Sequence, residues 1–287
     1  MPFLPSPTQL IRRFDEFAMM PRITGRVSGL RRFAIEFWMF GLKEARACLF
    51  AGLFFFALFA SHKLRGLGLP RYDLLLLIAV GIQAWMLHAQ LETWDEFRAI
   101  LVFHAIGLAL ELFKTSVGSW SYPEFAYTKF FGVPLYSGFM YAAVASYVIQ
   151  AWRLLDLRVE RHPPYWMATA IAIAIYANFF THHFIGDYRW YLIALACGLY
   201  ARTMVVFRPY DVERRMPLLL AFVLIGFFIW IAENISTFYG AWRYPNQIGA
   251  WAMVHVGKWS SWSLLAMMTF IIVVELKHIK ARIQLAP

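Results

Sequence analysis

A chain of 287 residues that is 61% hydrophobic and 15% charged, with a mean hydropathy of +0.55, has too little polar surface for a water-soluble fold and points to an integral membrane protein. Its net charge of +10 is spread over the segments between apolar runs and is not gathered on one polar face, which speaks for membrane topology and against nucleic-acid binding. Both cysteines, Cys48 and Cys197, fall inside apolar runs, so neither a disulfide framework nor a thiolate metal site is indicated.

Residues 1–44 lack the apolar core and cleavage site of a signal peptide. Arg12, Arg13, Arg22, Arg26, Arg31 and Arg32 are interspersed there with Phe14, Phe17, Phe33, Phe37 and Trp38, the pattern of a basic interfacial segment lying on anionic lipid. Eight apolar runs follow, at about 45–61, 73–91, 98–117, 133–155, 164–182, 189–207, 215–239 and 251–276. A helix needs roughly 20 residues to cross a hydrocarbon core of about 30 Å, so these runs predict an all-α integral membrane protein of eight transmembrane helices. The runs are continuous and do not alternate in polarity, which disfavours a lipid-facing β-barrel. Most Lys and Arg residues lie before residue 47, in 153–161, in 202–215 and after 276. Such cations mark the cytoplasmic side; both termini are therefore expected there, with 277–287 as a cytoplasmic tail. His88, Glu92, Asp95 and Glu96, at the inner end of the second run and in the loop after it, read as ordinary solvated charge.

A thirteen-residue motif occurs twice. Glu111–Pro123 reads ELFKTSVGSWSYP, and 122 positions later Glu233–Pro245 reads ENISTFYGAWRYP, sharing ExxxTxxGxWxYP with its uncommon Trp, Tyr and Pro. At a slightly shorter offset, Phe56–Lys63 (FALFASHK) meets Tyr176–His183 (YANFFTHH). These matches predict a 4+4 parallel tandem repeat, 45–155 and 164–276, related by an axis along the membrane normal and enclosing a central cavity.

Each copy ends an apolar run, placing a carboxylate inside the bilayer, where ionisable groups are costly and usually functional. Under the expected topology Glu111, Glu233, His182, His183, Asp187, His255 and Lys258 share one outer level, together with Lys114 and Asn234. Glu111 and Glu233 are the leading acid/base pair, because environment can push two similar carboxyls into different protonation states; His182, His183 and His255 are their catalytic partners. Trp120, Tyr122, Trp242, Tyr244, Asn234, Lys258 and Trp259 are expected to shape the substrate pocket, Lys258 pairing with Glu233. His182, His183 and His255 with Asp187 or a glutamate could instead hold a divalent metal, although neither HxxxH nor HExxH spacing exists. A blander account also stands, in which the duplication serves packing and the WxYP turns are interfacial anchors.

The stretch from Glu111 through SWSYPEFAYTKFFGVPLYSGFMYA, with ANFFTHHFIGDYRWYL and AENISTFYGAWRYPNQIGAW, resembles the YoaT-like bacterial membrane proteins, a family (DUF817) without an established reaction. That resemblance implies a bacterial inner (plasma) membrane location. The chain is also loosely similar to acyclic carotenoid hydratases and the small-subunit type of lycopene cyclase, whose helices carry a Glu followed by Gly and a Tyr-containing turn, as do Glu111, Gly118, Trp120 and Tyr122 here and Glu233, Gly240, Trp242 and Tyr244 again. This similarity implies acid-initiated chemistry on a polyene. The expected function is an enzyme acting on a lipid or isoprenoid from an outer-leaflet pocket, with membrane lipids and a lipophilic small molecule as partners and no nucleic acid. The alternative is a transporter or small-ligand binding protein.

Overall fold

The computed structural model describes residues 7–19, 29–63 and 68–285. Among them ten α-helices follow one another: α1 Pro7–Met19, α2 Gly29–Ala47, α3 Leu49–Lys63, α4 Arg71–His88, α5 Trp94–Ser116, α6 Ser137–Leu154, α7 Tyr165–Thr181, α8 Arg189–Tyr200, α9 Leu218–Phe238 and α10 Lys258–Leu285. Each of the eight apolar runs contributes one of the helices α3 to α10. Two are long and apolar enough to cross a bilayer, α9 and the Lys258–His278 part of α10; α2 and α3, bent by 66° at the break between them, make a third if they act as one span.

Two expectations change. The run at 189–207 is helical only over the twelve residues of α8, about 18 Å at 1.5 Å per residue. Past it the β-branched pair Val205 and Val206 lies in β4 (Met204–Phe207), between β3 (Arg158–Glu160) and β5 (Arg214–Pro217), in an antiparallel three-stranded sheet. A two-stranded hairpin, β1 (Lys129–Phe130) with β2 (Val133–Pro134), precedes α6. The fold is therefore mostly helical and not purely α. Residues 277–285 continue α10 without a break.

The basic N-terminal segment contributes α1 and most of α2, while Arg22 and Arg26 lie outside the described residues. Arg12 donates to Ala89 O at 2.8 Å, beside the end of α4, and Asp15 takes the guanidinium of Arg46 at 2.8 Å. A capping box starts α5, with Thr93 Oγ1 accepting the Glu96 N–H and Glu96 Oε2 accepting the Thr93 N–H. Just before it, Glu92 departs from the reading as solvated charge. It is buried, and its carboxylate takes a 2.6 Å bond from Ser146 Oγ and a short one from Gln83 Nε2.

Small residues let the closest helices meet, as is usual where lipid supplies no hydrophobic drive. A Cβ on Gly107 of α5 would lie 2.4 Å from Tyr141 Cγ of α6, and one on Gly226 of α9 would lie 2.6 Å from Ser263 N of α10. Gly107 lies about one turn before Glu111, and Gly226 about two turns before Glu233.

Candidate functional site

The two motif copies fold alike, and the local reason is glycine. Helices α5 and α9 close with the N–H of Val117 on Phe113 O and that of Tyr239 on Ile235 O. Gly118 and Gly240 then take φ of +74° and +68°, a left-handed C-cap that a side chain would strain. Ser119 N returns to Lys114 O at 2.9 Å and Ala241 N to Ser236 O at 3.0 Å. The chains next meet at the same motif position: Ser121 and Arg243 form an isolated antiparallel bridge with two bonds of 2.9 Å. Tyrosine closes each motif, Tyr122 Oη donating to Glu111 at 2.7 Å and Tyr244 Oη to Glu233 at 2.5 Å.

The carboxylates then diverge. Glu111, 2% exposed, accepts three bonds: Trp120 Nε1 and Tyr122 Oη on Oε2, and Tyr141 Oη on Oε1 at 2.8 Å. Glu233, 3% exposed, accepts two, from Tyr244 Oη and from Trp262 Nε1 at 2.7 Å. Trp120 meets Tyr244 edge to face at 6.0 Å, so a ring donating to one carboxylate touches a ring donating to the other. Lys258 Nζ sits over this pair, 5.3 Å from the Trp120 ring and 4.8 Å from that of Tyr244.

A cavity of about 100 Å³ opens here, lined by Glu233, Lys258, Lys114, His182, Arg189, Ser119 and Ser261, by the rings of Trp120, Tyr141, Tyr244 and Trp262, and by Leu110, Phe179 and Leu265. Of the expected residues, Glu233, His182, Lys258, Lys114, Trp120 and Tyr244 reach it. Glu111 does not; it stands behind its donors, with Tyr122 buried against it. The expected Lys258–Glu233 ion pair is absent, because the ammonium is spent on ring faces while Glu233 is satisfied by neutral donors.

Other expected residues have local duties. Asn234 accepts the Val254 N–H and donates to Trp230 O, both at 2.8 Å, fixing the segment between α9 and α10. Trp259 donates to Val223 O and packs on Phe227, and Trp242 is buried; neither lines the cavity. His255 is exposed, its Nδ1 accepting the N–H of Gly257 at 3.0 Å. The expected metal set is not brought together. His182 donates from Nδ1 to Asn178 O at 2.8 Å, which leaves Nε2 to accept from Lys114 Nζ at 3.2 Å, and His183 Nε2 takes the same ammonium at 2.8 Å. Asp187 is held by Asn178 Nδ2 at 3.1 Å and by Arg189 at 2.9 Å. Among the described residues no three of His, Cys, Asp and Glu gather closely enough for a metal ion.

The loop that carries His183 and Asp187 is electrostatically biased. Burial lowers the His183 imidazole below its ordinary value, with Lys114 and His182 acting in the same direction. Burial raises the Asp187 carboxyl, but the Asn178 amide, the Arg189 N–H and the Arg189 guanidinium outweigh it and hold the group below the usual aspartate range.

Sequence reasoning left out Tyr141, Arg189 and the Trp262–Glu233 bond. Nothing in an apolar run distinguishes a tyrosine that donates across a helix crossing, whereas Arg189, next to Asp187 at the start of a run, was open to notice. Arg71 was also overlooked. It is buried, bonding Ser61 Oγ, Leu58 O, Glu124 and, at 3.3 Å, Gly240 O of the second motif.

Comparison with known proteins adds ancestry without chemistry. The family described as "Protein of unknown function (DUF817)" matches residues 36–270. The uncharacterized protein YoaT of Bacillus subtilis is 54% identical over 241 residues, covering 84% of this chain and 91% of that protein. No solved structure matches. With a family match across most of its length and a relative this similar, the chain belongs to the DUF817 family.

Proposed function

We propose that this chain is a multi-pass protein of the bacterial plasma membrane whose eight apolar runs cross the bilayer as two parallel four-helix repeats, 45–155 and 164–276, with both termini in the cytoplasm. The self-pairing of Ser121 with Arg243 supports the repeat, because a two-fold axis between equivalent positions brings each to face the other. The matching glycine caps and Glu–Tyr bonds support it too.

Within this frame the cavity beside Glu233 acts on a lipid or isoprenoid by acid/base chemistry. One observation carries this reading: a 3%-exposed carboxylate forms part of a cavity wall that is otherwise largely aromatic and cationic. Glu233 is the proton donor and acceptor, and Lys258 beside it stabilises negative charge in the reaction. Glu111 is a positioning residue: its three donors fix Trp120, Tyr122 and Tyr141, and through Trp120 the wall of the cavity. Lipid extracts of cells carrying wild type, Glu233→Gln or a deletion, compared by mass spectrometry, test this. At least one lipid or isoprenoid species is expected to change alike in the Gln variant and the deletion; three identical profiles refute the enzyme.

One feature favours transport instead. The buried group of Glu92, Gln83 and Ser146 gives the bundle a second polar level, 19 residues and so about 28 Å of helix from Glu111. Cysteines placed along α5 and α9 that label from both faces of the membrane support a transporter, and labelling from the outer face alone supports the enzyme.

A further inference from the structure

We propose that the ligand of this cavity is an amphiphile with an anionic head, a phosphate or carboxylate, bound by Lys258, Lys114 and Arg189 with its apolar tail against Leu110, Phe179 and Leu265. The inference rests on the cavity being a ligand site and names the chemical class of what it takes.

Charges in the cavity wall are segregated in an unusual way. Every oxygen of Glu111 and Glu233 is met by a neutral donor, Trp or Tyr. Neither ammonium group hydrogen-bonds a carboxylate, although Lys258 feels the charges of Glu233 and Glu111 through space. Lys114 holds two imidazoles, of which His182 is fixed by Asn178 O in the tautomer that accepts, and Lys258 lies over two ring faces without a hydrogen-bond partner among the described residues. Two ammonium groups and a carboxylate thus share the wall of one small cavity without a hydrogen-bonded ion pair, although such a pair is the ordinary outcome for charges removed from water. The unused capacity belongs to the cations, since an ammonium has three donors and a ring face engages none of them.

An anion completes this arrangement. Arg189 adds a planar fork suited to phosphate or carboxylate; one of its nitrogens is on Gly257 O at 3.1 Å and another on Asp187, which anchors the guanidinium at the cavity wall. Ser119 and Ser261 contribute further hydroxyl donors to the lining. The remaining wall is aliphatic and aromatic, which accommodates a tail and not a free ion. A lipid phosphate and a free phosphate share the head chemistry, and the tail contacts assign the ligand to the lipid.

The test uses the full-length protein in a neutral detergent, with dodecyl phosphate, dodecanol and inorganic phosphate as probes and the shift of the unfolding midpoint as readout. Dodecyl phosphate is expected to stabilise the wild type at a concentration about tenfold or more below that needed for dodecanol, the factor that one charge-assisted hydrogen bond supplies. Lys258→Gln should lose that preference and Lys258→Arg should keep it. Inorganic phosphate as effective as dodecyl phosphate overturns the lipid assignment and leaves a free-anion site. Equal response to dodecanol and dodecyl phosphate, or a preference untouched in Lys258→Gln, overturns the anion site. Because Glu233→Gln retains the cationic donors and removes a negative charge from the wall, it should bind dodecyl phosphate at least as tightly as the wild type; binding without any lipid change in cells refutes the enzyme and spares this inference.

Discussion

The Glu111 and Glu233 regions are two copies of one motif that reach different ends. Both fold their glycine cap and their Glu–Tyr bond from local sequence. In the first copy the motif tryptophan, Trp120, turns back onto its own glutamate, and Tyr141 of α6 adds a third donor, so that Glu111 is sealed. In the second copy Trp242 is buried without that bond, Trp262 of α10 supplies the second donor, and Glu233 is left facing a cavity that Lys258, the first residue of α10, overhangs. One motif thus encloses its carboxylate in one copy and leaves it on a cavity wall in the other. The difference comes from the helix that follows each motif and not from the motif.

That contrast can be broken most directly at Glu111. Glu111→Ala orphans three donors, the buried Tyr122 and Tyr141 and the half-buried Trp120, and is expected to cost about 3–5 kcal/mol, read as a large fall in the unfolding midpoint of the purified protein. Glu233→Ala orphans two donors that face a cavity able to admit water, and about 2 kcal/mol is expected. A reversed order would mean that the first copy is the open one. Gly226→Ala should follow, at roughly 1–3 kcal/mol from overpacking, because the new Cβ meets the Ser263 backbone at 2.6 Å and α10 must move away from Glu233. Gly118→Ala and Gly240→Ala, which strain matching left-handed caps, should each cost about 1 kcal/mol. Here equality is the point, and a clear difference between them argues against equivalent local folds.

The smallest effect concerns pH. His183 has a folded value below its unfolded one of about 6.5, so the unfolded chain binds the extra proton first. Its contribution is present above about pH 6.5 and is lost as pH falls through the folded value. Asp187 is held down in the same sense, and its contribution is present above about pH 4 and lost in stronger acid. Unfolding midpoints measured from pH 8 to pH 5 should therefore decline less steeply in His183→Gln than in the wild type. Parallel curves would remove His183 from the account.

The apolar runs and the repeated motif were legible in the sequence, since each is a local pattern, whereas the left-handed caps at Gly118 and Gly240 went unread although glycine alone adopts that conformation easily. Span length was less legible: at α8 a continuous apolar run hid a change from helix to strand, because Val205 and Val206 suit both hydrophobic core and β structure. Glu92 misled in the opposite sense, its burial depending on Gln83 and Ser146 from other helices. Equivalent residues in the two motif copies look alike in sequence, and only tertiary packing decides which carboxylate is enclosed, which cation lies over which ring, and where the cavity opens. The physical reason is range. A turn is set by a handful of neighbouring dihedral angles, whereas the cavity in this bundle is set by side chains from α5, α6, α7, α8, α9 and α10 whose directions no single helix determines.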